Sequence, residues 1–264
     1  MATTDGGQLD GEETLVGSWA ALLPRSPGSR LVRTRTGLAA VFPAWSPLNN
    51  AILQAPPTPE AASRIAAELT DLYADAGVGS WALWVPAPAL DLDAPGPVAT
   101  VEGMARDMST LVMSLQLSDP LPAHPGVRRT TVEAANLAGD EPVPADALPG
   151  PDDASEVQGW VLVHEDRAVT GAWTFRRGSD VGVYAVGTAP GWRRRGLAHG
   201  LMLHVLGAAR RDGARTASLQ STRMGRPLYS FLGFRPVGRY DEWVPAAETP
   251  MTDPMTEADG ARAS

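Results

Sequence analysis

Two residue types are missing from this chain, and each absence removes a class of chemistry. Its 264 residues include no cysteine, and all 22 cationic side chains are arginine, so lysine is missing too. Without cysteine there is no disulfide scaffold, thiolate metal site or cysteine nucleophile. Without lysine there is no Schiff base, no pyridoxal phosphate attachment and no phosphate loop of the Walker type. GC-rich coding accounts for the missing lysine, and the exclusions hold whatever its cause. Long apolar runs are missing as well. Nothing approaches the roughly 20 residues that span a bilayer, and Met1 to Asp10 has neither the basic start nor the apolar stretch of a secretory signal. A net charge of -8 argues against nucleic-acid binding, which needs a broad basic face. What remains is a chain of ordinary globular composition, long enough for two small domains and expected in the cytoplasm without a membrane partner.

Residues 1–14 are polar and Gly-rich and read as disordered, as does the tail 247–264. Leu31 to Phe42, with Thr36-Gly37 at its centre, reads as a hairpin. A helix is predicted over Glu60 to Ala76, with Ile65, Leu69 and Leu72 as its apolar stripe, Thr58 as cap and Gly77 as stop. Ser80 to Val85 reads as a strand, Glu102 to Met108 as a helical segment, and Thr110 to Leu117 as another strand. Three prolines and a glycine between Ser118 and Gly126 mark a linker over 119–126, which divides an accessory unit (15–118) from a second unit (127–246).

The second unit opens with a strand over Val127 to Glu133, followed by an acidic, Pro-rich surface loop from Asp140 to Glu156. Strands are predicted at Gly159 to His164, Ala168 to Phe175 and Asp180 to Thr188, and an amphipathic helix over Gly196 to Arg211 that Gly213 ends. A strand at Thr216 to Gln220, a short helix at Pro227 to Leu232 and a strand pair around Gly238 complete a mixed α/β sheet.

Chemistry concentrates at Pro190-Gly191-Trp192-Arg193-Arg194-Arg195-Gly196-Leu197-Ala198. A strand running into a glycine turn and then a helix presents unpaired backbone N–H groups and the positive end of the helix dipole to an anion. Gly196 removes the side chain where a phosphate would approach, Ala198 keeps the next approach small, and Arg193, Arg194 and Arg195 add positive charge. A solvated charge run would carry the same three arginines, so the loop alone is a moderate signal. A nucleotide-binding reading is weaker, because no acidic ribose-binding residue follows about 20 residues on within a second strand.

A second motif lies downstream: Leu219-Gln220-Ser221-Thr222, then Leu228-Tyr229-Ser230-Phe231-Leu232-Gly233-Phe234. From about Val183 to Phe234 the chain resembles the GCN5-related N-acetyltransferase (GNAT) superfamily. Arg193-Arg194-Arg195-Gly196-Leu197-Ala198 matches its [Gln/Arg]-x-x-Gly-x-[Gly/Ala] acyl-CoA signature, and Leu228 to Phe234 matches its Leu-Tyr-x-x-Leu-Gly-Phe element. The resemblance implies a GNAT-like twisted mixed sheet flanked by helices. It implies acetyl-CoA as acyl donor, with the pantetheine arm between the splayed strands Asp180 to Thr188 and Thr216 to Gln220. Val186, Gly187 and Thr188 would lie along that arm, with backbone groups of Val186 and Thr188 pairing with its amides. The pyrophosphate would rest on the N–H groups of Arg194 to Ala198, with the side chains of Arg193, Arg194 and Arg195 assisting. Tyr229 falls where many members keep a tyrosine near the thioester sulfur, placed to protonate the departing thiolate. The expected reaction is direct attack by the amine of a small-molecule acceptor; the alternative is a CoA-binding sensor that transfers nothing.

Some relatives carry a glutamate in the strand before the phosphate loop, and Val181 to Thr188 has none. Glu133, His164, Glu165 and the Asp241-Glu242 pair are the open candidates for the general base. His199 and His204 are five residues apart, about 140° around a helix, so no metal site is expected. The first unit, with no phosphate motif of its own, would be a degenerate copy that packs against the second and walls the acceptor pocket, with Trp45, Trp81 and Trp84 as candidate lining. A homodimer is compatible with these readings.

Overall fold

The computed structural model describes residues 11–246. The tail expected at 247–264 and the first ten residues of the expected disordered start lie outside the described residues. The chain opens instead with a helix, α1 (Glu12–Leu22), whose Leu15, Trp19 and Leu22 recur at helical spacing and are buried. Residues 12–14, expected to be disordered, form its first turn instead.

The first half continues with β1 (Arg30–Arg33), β2 (Gly37–Val41) and β3 (Asn50–Leu53). β1 and β2 form the expected hairpin. Gly37 has no room for a side chain, because a Cβ there would sit 1.9 Å from the Ile52 carbonyl oxygen on β3. α2 (Pro59–Asp75) follows, with the Thr58 hydroxyl accepting from the Ala61 N–H at 3.3 Å. Its stripe of Ala62, Ile65, Ala66, Leu69 and Tyr73 packs on β2, β3 and then β4 (Ala82–Ala87). β5 (Met104–Gln116) is one long strand. The helix expected over Glu102 to Met108 does not form, because both edges of this stretch's continuation find strand partners. Tertiary hydrogen bonding overrides a weak local preference.

The second half contains β6 (Val127–Thr130), α3 (Val132–Asp140), the two-residue β7 (Val143–Pro144), β8 (Val157–His164), β9 (Arg167–Arg177) and β10 (Asp180–Thr188). It ends with α4 (Leu197–Arg211), β11 (Thr216–Ser221), α5 (Arg226–Phe231) and β12 (Arg235–Pro245). The strand expected to run to Glu133 stops at Thr130, where Thr131 caps α3 by accepting from the Ala134 N–H at 3.3 Å. Gly238 is not a turn between two strands. β12 runs straight through it, with a register shift between Pro236 and Gly238. No helix among the described residues is long and apolar enough to cross a membrane.

All twelve strands of the described residues belong to one mixed sheet, ordered β1-β2-β3-β4-β12-β5-β11-β10-β9-β8-β6, with β7 pairing on β9. Two pairs are parallel, β3 with β4 and β10 with β11, and each is bridged by a helix, α2 and α4. Residues 119–126 carry no regular element, yet the sheet does not divide there. β12 of the second half lies between β4 and β5 of the first, and β5 lies between β12 and β11. The halves are therefore interlocked by an exchange of central strands.

The two faces are filled differently. On one, α1 packs across the seam between halves, against Phe42 and Ile52 from the first and Trp173, Phe175 and Tyr184 from the second. The alternate residues of the same strands face the other way, where α2 covers Val41, Leu53 and Leu83, and α4 covers Leu111, Met113, Val181 and Val183.

Candidate active site

The two parallel strands of the second half pair only at their start, Asp180 to Gly182 against Thr216 to Ser218. Asp180 pins that end: its carboxylate accepts from Thr216 at 2.7 Å, from Ser218 at 2.6 Å and from Thr14 of α1 at 2.7 Å. Beyond it the strands part. Ala185 has a left-handed backbone (φ 50°), and the register of β10 against β9 breaks between Tyr184 and Gly187, so a bulge steers the end of β10 away from β11. Gly187 is held against Gly139 of α3, where a Cβ would come within 2.9 Å of the Gly139 Cα.

β10 leads through a short turn into α4. Arg194 (φ 61°) and Gly196 (φ 77°) are both left-handed, and no side chain caps the helix. The first N–H to bond within the helix is that of Gly200, to the Gly196 carbonyl at 3.0 Å, so those of Leu197, Ala198 and His199 precede the ladder. A Cβ on Gly196 would meet nothing within 4 Å; the space over the helix start is open.

The gap between the strands widens into a cavity of about 880 Å³. Val186, Gly187, Thr188, Arg193, Arg194, Gly196, Leu197, Ala198 and Tyr229 all line it. Arg195 is not among the lining residues: its guanidinium donates to the Gly191 carbonyl at 3.1 Å and lies over the Trp192 ring at 4.9 Å. Arg193 braces the loop by donating to the Thr188 carbonyl at 2.9 Å, so that carbonyl is already engaged.

Tyr229, on α5, is 8% exposed, and its ring meets Phe234 edge-on at 6.0 Å. Burial pushes its phenol up to about 12, which keeps it protonated at neutral pH. The candidate bases separate sharply. Glu133 is paired with Arg25 at 3.0 Å, and His164 packs on Trp192 at 5.5 Å beside Glu165; none of the three lines the cavity. Asp241 is buried between Arg239 at 3.1 Å and Arg106 at 3.0 Å. Glu242, one residue on and therefore on the opposite face of β12, lines the cavity. Its carboxylate accepts from the Thr110 hydroxyl. Burial, and secondarily the charge of Asp107, raise it to about 7.

Trp81 and Trp84 line the cavity, whereas Trp45 packs with the α1 core. His199 also lines it, its ring 5.3 Å from that of Phe231, while His204 accepts from the His124 N–H at 3.0 Å outside it. Asn49, Asn50 and Ser80 from the first half, and Asp107 and Thr110 from β5, complete the wall. None of these five stands out in the sequence as a site residue. No local pattern marks them, because sheet order rather than sequence proximity brings them to the same cavity as the loop before α4.

Residues 143–252 match the acetyltransferase (GNAT) domain family. No curated protein matches the chain. Among solved structures, a GCN5-related N-acetyltransferase from Kribbella flavida aligns over 87% of this chain and 95% of its own (TM-score 0.57, 20% identity). A conserved protein of unknown function from Staphylococcus epidermidis aligns over 82% and 94% (TM-score 0.54, 10% identity). A tandem GNAT protein from the clavulanic acid biosynthesis pathway aligns over 87% of each chain (TM-score 0.50, 17% identity). At these identities the likeness is one of fold, and it extends across both halves.

Proposed function

We propose that the protein transfers acetyl from acetyl-CoA to the amine of a small molecule, a reading that starts from the match of residues 143–252 to the GNAT acetyltransferase family. One observation carries this reading: the splayed gap between β10 and β11 opens at once onto the uncapped start of α4 and onto Tyr229. Pyrophosphate fits the N–H groups after Gly196, with Arg193 and Arg194 beside them. The pantetheine arm fits along Val186 to Thr188, where the lost strand pairing leaves backbone groups for its amides.

Glu242 accepts one proton from the incoming ammonium. The neutral nitrogen attacks the thioester carbonyl, the C–S bond breaks, and the sulfur takes the Tyr229 proton. The nitrogen's second N–H proton restores the phenol. The binding-only alternative rests on the want of a base, and Glu242 on the cavity wall, its carboxyl pKa raised by burial, argues against it.

The first half reads as a copy that has lost its donor site. β3, α2 and β4 repeat the arrangement of β10, α4 and β11, but the start of α2 is closed by the Thr58 side chain and carries Glu60 in its first turn. Both features disfavour a phosphate there.

Calorimetry tests the donor site. Acetyl-CoA should bind the wild-type chain, and Gly196→Val should lose that binding, since the Cβ would occupy the space over the helix start. Unchanged affinity in the variant would overturn the assignment.

A further inference from the structure

Two consecutive asparagines line the first-half wall of the cavity, and their amides are engaged differently. Asn49 uses both ends of its amide on Phe42, accepting from the N–H at 2.6 Å and donating to the carbonyl at 3.2 Å. Asn50 uses only one. Its Nδ2 donates to the Pro47 carbonyl at 3.0 Å, which fixes the orientation of the amide, because a carbonyl can only accept. Asn50 is 8% exposed, and its Oδ1 has no partner among the described residues. A buried amide oxygen without a donor is costly, and a bound donor removes that cost.

Strand register places Asn50 relative to Glu242. Ile52 pairs with Trp84 and Trp84 with Glu242, so these three share one face of the sheet. Asn50, two residues before Ile52, shares it too. Two strand spacings of about 4.8 Å, with a rise of about 3.3 Å per residue, put the Cα atoms of Asn50 and Glu242 about 12 Å apart. Ala82, Trp84 and Val244 line the cavity beside them, an apolar wall between two polar ends. Hydrogen bonds of about 2.8 Å at each end leave roughly 6 Å, the length of about four carbons, between a nitrogen at Glu242 and a donor at Asn50.

We infer that the acceptor is a primary amine whose far end carries a hydroxyl on a short apolar chain, its ammonium meeting Glu242 and its hydroxyl donating to Asn50 Oδ1. This rests on the transferase reading and narrows it, and it makes Asn50 the residue that selects the acceptor. An ω-amino acid is disfavoured, because its carboxylate has only lone pairs to offer an oxygen that needs a proton. A plain alkylamine is disfavoured because it would bury that oxygen unpaired.

The test uses the full chain with saturating acetyl-CoA and a thiol-release readout. The probes are ω-amino alcohols of three to six carbons, each matched with its O-methyl ether, the alkylamine and the ω-amino acid of equal length. At the best length the amino alcohol should exceed its methyl ether and the alkylamine by roughly tenfold in kcat/KM, with the amino acid slower than either. Asn50→Leu should erase that preference and leave the acetyl-CoA Kd unchanged. Asn50→Gln extends the amide into the cavity by one carbon, so the best length should become one carbon shorter, which a folding defect would not produce. Equal or better use of the ethers, alkylamines or amino acids would overturn the inference, as would a preference that survives Asn50→Leu, or no release with any probe while acetyl-CoA binds. Failure of acetyl-CoA itself to bind would instead remove the transferase reading, and this inference with it.

Discussion

Glu242 and Tyr229 are displaced in the same direction by burial and suited by it to opposite tasks. A phenol at about 12 holds its proton until a thiolate forms, and a carboxyl at about 7 is basic enough to take one from an ammonium. kcat/KM for the acceptor should therefore rise with pH and level off above about 7. Glu242→Gln should flatten that limb and lower kcat by about 10²-fold or more, while Tyr229→Phe should lower kcat with little change in acetyl-CoA affinity. Stability gives an independent readout. The folded pKa lies above the ordinary 4.5, so between the two values the folded state holds the proton more tightly than the unfolded chain. This contribution is present below about 4.5 and lost as pH rises through about 7. Glu242→Gln should thus leave Tm at pH 8 unchanged or raised; a lower Tm there would mark the residue as structural. The sequence had put Glu242 beside Asp241 as an undivided pair. Strand alternation and the buried Arg239 separate them, and neither is visible without a register.

The elements differ in how much of themselves the sequence displays. α2 and α4 are legible because their apolar stripes, caps and stops are local: Thr58, Gly77 and Gly213 stand where the pattern requires. The tight turn between β8 and β9 is equally local, with Glu165 and Asp166 both left-handed. α1, β3 and the first part of β5 are not legible. β3 has four residues and is buried on both sides, too short for a period to emerge. β5 begins with helix-compatible residues that extend because β12 pairs with them. The two bridging helices offer a direct comparison of helix starts. Thr58→Ala should cost about 1 kcal/mol in chemical denaturation and leave acetyl-CoA binding untouched, because the start of α2 lies outside the cavity. Loss of donor binding in that variant would mean that the first half keeps a donor site.

At the scale of the whole molecule the linker separates the chain without separating the structure. Removing residues 1–118 takes away β5, exposes the facing edges of β11 and β12, and deletes Leu111 and Met113 from the core under α4. A fragment spanning 119–264 should lack a cooperative thermal transition and bind no acetyl-CoA. A soluble, cooperatively folding, donor-binding fragment would disprove that dependence on strand exchange.

The sequence by itself determined the fold class and displayed the helix start that we propose for the donor's phosphates, for a physical reason. A phosphate cradle is made of consecutive backbone N–H groups at one helix start, and its glycine, its arginines and its flanking strand are contiguous in the chain. The acceptor end has no such contiguity. Thr110 and Glu242 lie 132 residues apart, and they meet only because the two halves exchange strands. Pairing register and burial decide which of several acidic residues faces the cavity, and those belong to the tertiary structure alone.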